Sequence, residues 1–538
     1  MYTIVVHLYP LRMRRLTYQA LSLALAAGLT GPAARAQTLA ATSSVALSVP
    51  AALASAPFDA PRTVQVPTGW ALAVYARVPG ARFMALTPDG ALLVSQPGAG
   101  KISLVRPGSA DASPTVTDFA TGLRRPHDMV FHTIGSTTYL YVAESNQINR
   151  FTYQAGDATA QGRQVIITGL PDDSTPELNG AYAHALKNLA LDGNHKLYVS
   201  IASTCNVCLS DTQSDPKRAA IYQYEADGTG RRLFAQGLRN AEGLAFIPGT
   251  NTLWVTVNGR DNTPYPKQDA TGQYGQVLSS YVDNHPPDLF TKVVDGGNYG
   301  WPFANPNPDS STGLDNMPFE LDYDMNRDGA VPLSTFTTIS KGIQAHSAAL
   351  GFTFLQGTRF PAAYASGAAV ALHGSWNRTA PAGYKVIYFP WNAATQTPGA
   401  QADLVTGFVD GGGAWGRPVD VAVDAQGALL ISDDQSGTIY KLTAPAAALG
   451  ARASSSAATI HFYPNPAGSG PATLDLTGLP TGAYQATVLD ALGRPVLPPQ
   501  RVAGGALAPL PLGGLGAGAY LVRVQGEQFS QVLKVTVK

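Results

Sequence analysis

Charge is scarce in this chain of 538 residues: 13% are Asp, Glu, Lys or Arg, and the formal net charge is zero. Sparse, balanced charge argues against the basic face that nucleic acid requires. It equally lacks the Lys/Arg tract of a membrane-surface binder. Cysteine is scarcer still, with only Cys205 and Cys208. The segment Cys205-Asn206-Val207-Cys208 is followed by Leu209, not by the histidine of a c-type haem attachment site. Two thiols also fall short of the four ligands that structural zinc takes. In an oxidising compartment the pair reads as a local disulfide that shapes a loop rather than holding the fold. No Gly-x-Gly-x-x-Gly unit follows a strand and opens a helix, which argues against a Rossmann nicotinamide site. No helical context supports a hydrolase elbow. The stretch Asp324-Met325-Asn326-Arg327-Asp328-Gly329 lacks the closing Glu of a calcium loop and reads as solvated.

Turn chemistry is what the chain has in quantity, with 55 Gly and 40 Pro dispersed along it. Arg12, Arg14 and Arg15 precede the apolar run Ala20 to Leu29, and Ala34-Arg35-Ala36 offers a cleavage site. Residues 1–36 therefore read as an export signal. That run is shorter than a transmembrane helix, and no later segment is long and apolar enough to span a bilayer. Residues 37–61 are rich in Ala, Ser and Val without clear periodicity and read as a linker.

Across 62–443 one phrase recurs: an apolar run, a turn with Gly, Asp or Asn, and a second apolar run. The copies begin near Phe83, Met129, Leu189, Leu244, Phe352 and Val419. Six copies of this length suit the four-stranded blades of a propeller. A ring of sheets also removes exposed strand edges. The fold class expected is all-β, a six-bladed β-propeller followed by a small C-terminal β-sandwich. Two unrelated sandwiches are the alternative, less consistent with one recurring phrase. A second linker is expected over 444–459. The module 460–538 then contains strands over 482–488 and 518–524 that alternate as half-buried strands do.

Polar residues gather just before or after the repeated strands. His184 precedes the third copy and has the titration range of a general base, or it satisfies a blade-to-blade hydrogen bond. Arg239 and Asn240 enter the fourth copy. Arg239 offers a permanent charge to a carboxylate or developing oxyanion, or it is a structural partner, with Glu242 as one candidate. Gly259 and Arg260 lie in a turn whose backbone carbonyls could meet a hard cation. His346, His373, Asn377, Arg378 and Arg417 complete the set. Trp301, Trp376 and Trp415 are candidates for apolar walls at the mouth, or for core.

In order, Leu197–Cys208, Gly237–Phe246, Val293–Pro302, His346–Phe354, Leu372–Tyr388 and Arg417–Leu442 resemble the glucose/sorbosone dehydrogenase family, the soluble quinoprotein sugar dehydrogenases. The resemblance spans roughly 65–443. It implies a sugar substrate, an external electron acceptor, and pyrroloquinoline quinone (PQQ) bound with Ca2+. It makes His184 the base and Arg239 a catalytic contact to the quinone. Asn240, Asn377, Arg378 and Arg417 become further cofactor contacts, with Gly259 and Arg260 as metal ligands. Two cationic positions depart from the glucose-oxidising members, Asn377 standing for a Lys and Trp415 for an Arg, and the members' glutamine near the second repeat has no clear match, Arg125-Pro126-His127-Asp128 standing there. The departures keep a cofactor-free binding propeller as a competing function; a calcium-dependent lactonase on a similar propeller is a second competitor, although few of the acidic channel ligands it needs are evident. The tail resembles the type IX secretion sorting domain of Bacteroidota, through Tyr463-Pro464-Asn465-Pro466 and the terminal Val535-Thr536-Val537-Lys538. That resemblance implies secretion or cell-surface display by the type IX machinery.

Overall fold

A computed structural model of the chain describes residues 39–108, 113–392, 394–445, 460–468, 472–490, 495–526 and 530–538. The export signal expected over 1–36 lies outside the described residues. The chain divides into two compact units, Met1–Ala444 and Pro445–Lys538. Among the described residues no helix is long and apolar enough to cross a membrane.

The first unit is a six-bladed propeller. Blade one consists of Met84–Leu86, Leu92–Gln96, Lys101–Arg106 and Thr115–Ala120, each paired antiparallel with the next. The inner strands of blades two to six are Met129–Ile134, Leu189–Leu191, Asn240–Phe246, Ala349–Phe354 and Pro418–Val423. Blade six closes the ring. Its strands Pro418–Val423, Leu429–Asp433 and Thr438–Thr443 take Ala71–Arg77 as their outer partner, with Ala71 opposite Thr443 and Leu72 opposite Leu442. Each sheet packs on two neighbours, so strands such as Leu92–Gln96 are buried along their whole length. This explains why the repeated phrase is a continuous apolar run rather than an alternating one.

Buried carboxyls staple neighbouring blades. Asp128 accepts from the Leu189 amide at 2.8 Å, Asp420 from Met84 at 2.8 Å and Asp288 from Ala349 at 3.2 Å. Each supplies an acceptor to the first residues of the next inner strand, whose amides would otherwise be buried unpaired. Burial raises the pKa of all three, Asp288 and Asp420 to about 7.

One correction concerns the segment 37–61. Thr42–Ala46 is a strand paired with Thr63–Pro67, and Leu47 and Phe58 are buried. Phe58 meets the Trp415 and Tyr440 rings edge-on, both centroids 6.2 Å away. Small residues hide this strand in the sequence, because its stability comes from the partner ladder and not from its own β preference. The stretch 324–329 follows a buried ion pair. Asp322 caps a short helix, Tyr323–Asn326, and its carboxylate meets the buried Arg260 guanidinium at 2.5 Å. Asp324 pairs with the same guanidinium at 2.8 Å, while Asp324, Arg327 and Asp328 are exposed, as a solvated stretch would be.

The second unit is a small sandwich. One sheet holds His461–Tyr463, Ala472–Asp475 and Leu507–Leu510; the other holds Gln500–Ala503, Ala483–Leu489, Gly518–Gln525 and Ser530–Val537. Leu474, Leu510, Val488, Val522 and Val524 fill its core.

Candidate active site

The inner strands surround a channel of about 490 Å³, lined by Leu86, Val130, Leu244, Phe246, Phe352 and Phe354 among others. Phe83, Leu350 and Val419 pack together at the N-terminal ends of these strands. They form an apolar floor, and the polar residues singled out above stand on the loops at that end.

His184 is held by backbone. Its Nδ1 lies 2.8 Å from the Ser203 carbonyl and 3.1 Å from Ser203 Oγ. A carbonyl only accepts, so Nδ1 carries the hydrogen and Nε2 keeps its lone pair. Nε2 makes no hydrogen bond among the described residues. Burial first, then the charge of Arg239, holds this imidazole at a pKa of about 4. At neutral pH it is an uncharged acceptor.

Arg239 is buried and closely partnered. Nε donates to the Asn206 carbonyl at 3.0 Å, Nη1 to the Gly259 carbonyl at 2.6 Å, and Nη2 to Asn206 Oδ1 at 3.0 Å and Asp261 at 3.3 Å. Glu242 is not its partner. That carboxylate pairs with His127 at 3.2 Å and accepts from Asn240 at 3.1 Å. Burial alone would raise the Glu242 pKa, but the His127 contact, the charge of Arg82 and the Asn240 hydrogen bond together outweigh it and bring the value to about 2. The local chain is shaped for this placement. Gly237 has φ of 76°, and a Cβ there would stand 2.5 Å from Asn298 Oδ1 and 2.7 Å from the Gly300 amide, so only glycine fits.

Asp261 is the hub that the sequence did not reveal. Beside Arg239, it accepts from Asn377 Nδ2 at 3.3 Å and faces His346 Nδ1 at 3.7 Å. His346 adopts the left-handed φ of 58° and donates from Nε2 to the Val282 carbonyl at 2.8 Å. In the sequence Asp261 is only a lone carboxylate in the turn Gly259-Arg260-Asp261-Asn262, whose carbonyls are the more evident ligands. On the far side Arg417 donates to the carbonyls of His373 and Gly374, at 3.0 and 3.2 Å. His373 pairs with Asp434 at 2.8 Å, and Asp434 with Arg82 at 2.9 Å. Arg378 Nη1 donates to the Ala345 carbonyl at 3.2 Å. The Arg260 side chain turns to Asp322 and Asp324, so only its backbone is available for the role read from the sequence.

The three tryptophans separate. Trp415 is core, packed on Phe408 at 5.0 Å between centroids. Trp301 is buried and donates to the Asn206 carbonyl at 3.1 Å. Trp376 is 72% exposed beside Asn377 and Arg378.

A family model described as TrAA12-like matches residues 64–445, nearly all of the propeller. The chain belongs to the TrAA12-like family. The fold of this TrAA12-like propeller is also found in the holo form of the PQQ domain of pyranose dehydrogenase from Coprinopsis cinerea. The TM-score is 0.58 at 20% identity, covering 71% of this chain and 97% of that one. A calcium structure of a Trichoderma reesei enzyme of carbohydrate-active family AA12 gives 0.57 at 18% identity, covering 70% and 96%. An uncharacterized protein from Borreliella burgdorferi is 28% identical over 315 residues, 57% of this chain and 72% of that protein.

Proposed function

We propose that the chain is an exported quinoprotein oxidoreductase that oxidises an aldose or sorbosone-type sugar, using PQQ and Ca2+. The observation that carries this reading is His184, fixed as an uncharged acceptor beside the guanidinium of Arg239 on the mouth of a TrAA12-like propeller. The sugar class is supported by the pyranose dehydrogenase and AA12 enzymes that share the fold.

The residues present fit both groups. A flat tricarboxylate needs cations and amides around it, and Arg239, Arg378, Arg417, Asn240 and Asn377 supply them. Arg417 spends Nε and Nη2 on carbonyls and keeps Nη1 for an anion. For calcium, the carbonyls of Gly259 and Arg260 lie in sequence beside the Asp261 carboxylate, an all-oxygen set suited to a hard cation. The Gly259 carbonyl already accepts from Arg239, which leaves its second lone pair. When bound, PQQ supplies a two-electron acceptor and calcium a Lewis acid.

The chain's own part is proton transfer and orientation. His184 Nε2 would take the hydroxyl proton of the sugar as a hydride leaves the carbon that bears that hydroxyl. The Ser203 carbonyl stabilises the imidazolium that forms, through the Nδ1 hydrogen. Arg239 holds positive charge where negative charge develops. The floor of Phe83, Leu350 and Val419 limits water from below. Trp376 offers a flat apolar face to the sugar ring. Turnover would require an external electron acceptor.

Mixing the purified chain with PQQ and Ca2+ is expected to give a bound-cofactor absorption spectrum that bleaches on adding an aldose. No spectral change with PQQ, or lactone hydrolysis without any acceptor, would reject the reading. The pH profile is a second check. The base works only with its lone pair free, so activity is retained above the His184 pKa and lost as pH falls through about 4. An acid limb in kcat/KM at the ordinary imidazole value of about 6.5 would contradict the assignment.

Export and display are also proposals. The signal over 1–36 is tested by deleting it, with loss of export expected, and the sandwich 460–538, read as a type IX sorting domain, by deleting 460–538. Retention of the truncated protein inside a Bacteroidota host is the expected result, and normal surface delivery the contrary one.

A further inference from the structure

The loop between Ser203 and Asp211 is built unlike its surroundings. Cys205 and Cys208 are joined by a disulfide that encloses only Asn206 and Val207. The base of the loop is held by Asp211, which is fully buried. It accepts from the Thr204 amide at 2.7 Å and hydroxyl at 2.8 Å, and from Arg218 at 3.2 Å. A loop this short gains little chain entropy from a crosslink, so the constraint has to act locally.

What it constrains is Asn206. Its carbonyl accepts from Arg239 Nε at 3.0 Å and from Trp301 Nε1 at 3.1 Å. Its side-chain oxygen accepts from Arg239 Nη2 at 3.0 Å and from the Asp261 amide at 2.7 Å, while Nδ2 donates to the Asp261 carbonyl at 2.8 Å. One residue thus joins the loop after blade three's second strand to the guanidinium and carboxylate at the mouth. The same loop begins with Ser203, whose carbonyl orients His184 and whose hydroxyl donates to the Cys205 carbonyl at 2.9 Å.

We infer that the Cys205–Cys208 loop is a clamp, and that Asn206 is a positioning residue that sets Arg239, Asp261 and, through Ser203, His184 in one geometry. The inference rests on the proposed function for its consequence in cofactor binding, but its structural content does not depend on it. Arg239 has rotamer freedom to lose, and a pre-set guanidinium binds an anion more tightly than a mobile one.

The test uses the full chain with Asn206→Ala, and separately with the double substitution Cys205→Ser and Cys208→Ser. Two readouts are taken: titration of the His184 imidazole by NMR, which needs no cofactor, and the Kd for PQQ with Ca2+. With the clamp lost, the His184 pKa is expected to rise from about 4 toward the ordinary value. The Kd is expected to rise at least about tenfold, with near-UV circular dichroism and Tm close to wild type. Asn206→Asp, which keeps the acceptor oxygen toward Arg239, is expected to restore part of both. Wild-type titration and affinity in Asn206→Ala overturn the inference. So does unfolding of either variant, because the loop then holds the fold and not the site. A wild-type chain that binds no PQQ defeats the proposed function alone, and the His184 titration still decides the clamp.

Discussion

Replacing His184 with alanine is expected to lower kcat by about 10³-fold, within the range that a positioned general base contributes. Affinity for PQQ is expected to stay within a few-fold of wild type. Both follow from the hydrogen bonds. The side chain has one anchor, the Ser203 backbone, and holds no other rim residue in place. Its removal takes away the acceptor at Nε2 and leaves Arg239, Asp261 and Arg417 with their partners. Steady-state dye reduction gives kcat, and a spectral titration gives the affinity. A variant that turns over at the wild-type rate would remove His184 from the chemistry. A variant that no longer binds PQQ would make it a structural residue of the loop.

Arg239→Ala is expected to weaken PQQ by about 10²-fold, corresponding to about 3 kcal/mol for losing a charge-assisted contact to the anion. Turnover falls with it. The guanidinium is 6% exposed and serves Asn206, Gly259 and Asp261 together. The variant also carries a signature in pH. The charge of Arg239 is the second cause of the depressed His184 pKa, after burial. Without it the imidazole pKa rises, and the acid limb of the rate profile moves up from about 4. Arg239→Lys separates the two effects. It keeps the charge, so the acid limb stays low, but an ammonium cannot reach the three partners at once and affinity still falls. An unmoved acid limb in Arg239→Ala would dissociate the two residues.

Carboxylates at the mouth pair with histidines and arginines. Glu242 pairs with His127, Asp261 with Arg239, and Asp434 with His373 and Arg82. This balance bears on the two positions where the sequence departs from the glucose-oxidising relatives. Trp415 is core and contributes no charge, and Asn377 contributes an amide to Asp261. Arg378, Arg239 and Arg417 remain to meet an anionic cofactor, which keeps the binding reading consistent with those losses.

Local patterns carried the fold. Turn residues between apolar runs set six repeats, because a blade's strands are adjacent in sequence and buried on both faces. The same patterns marked His184, Arg239 and Arg417, since each stands where a loop enters an inner strand. Position and residue type were legible; partners were not. The strand Thr42–Ala46 was missed because its ladder to Thr63–Pro67 supplies what its own residues lack. Asp261 was missed because its meaning comes from groups 22 and 116 positions away, Arg239 and Asn377. Arg82 meets Asp434 across 352 positions, a contact that exists only because Ala71–Arg77 completes the last blade. Short-range chemistry along the chain determined the propeller and nominated the loops. Closure of the ring decided which charges face one another, since a hydrogen bond depends on distance in space and the sequence records only distance along the chain.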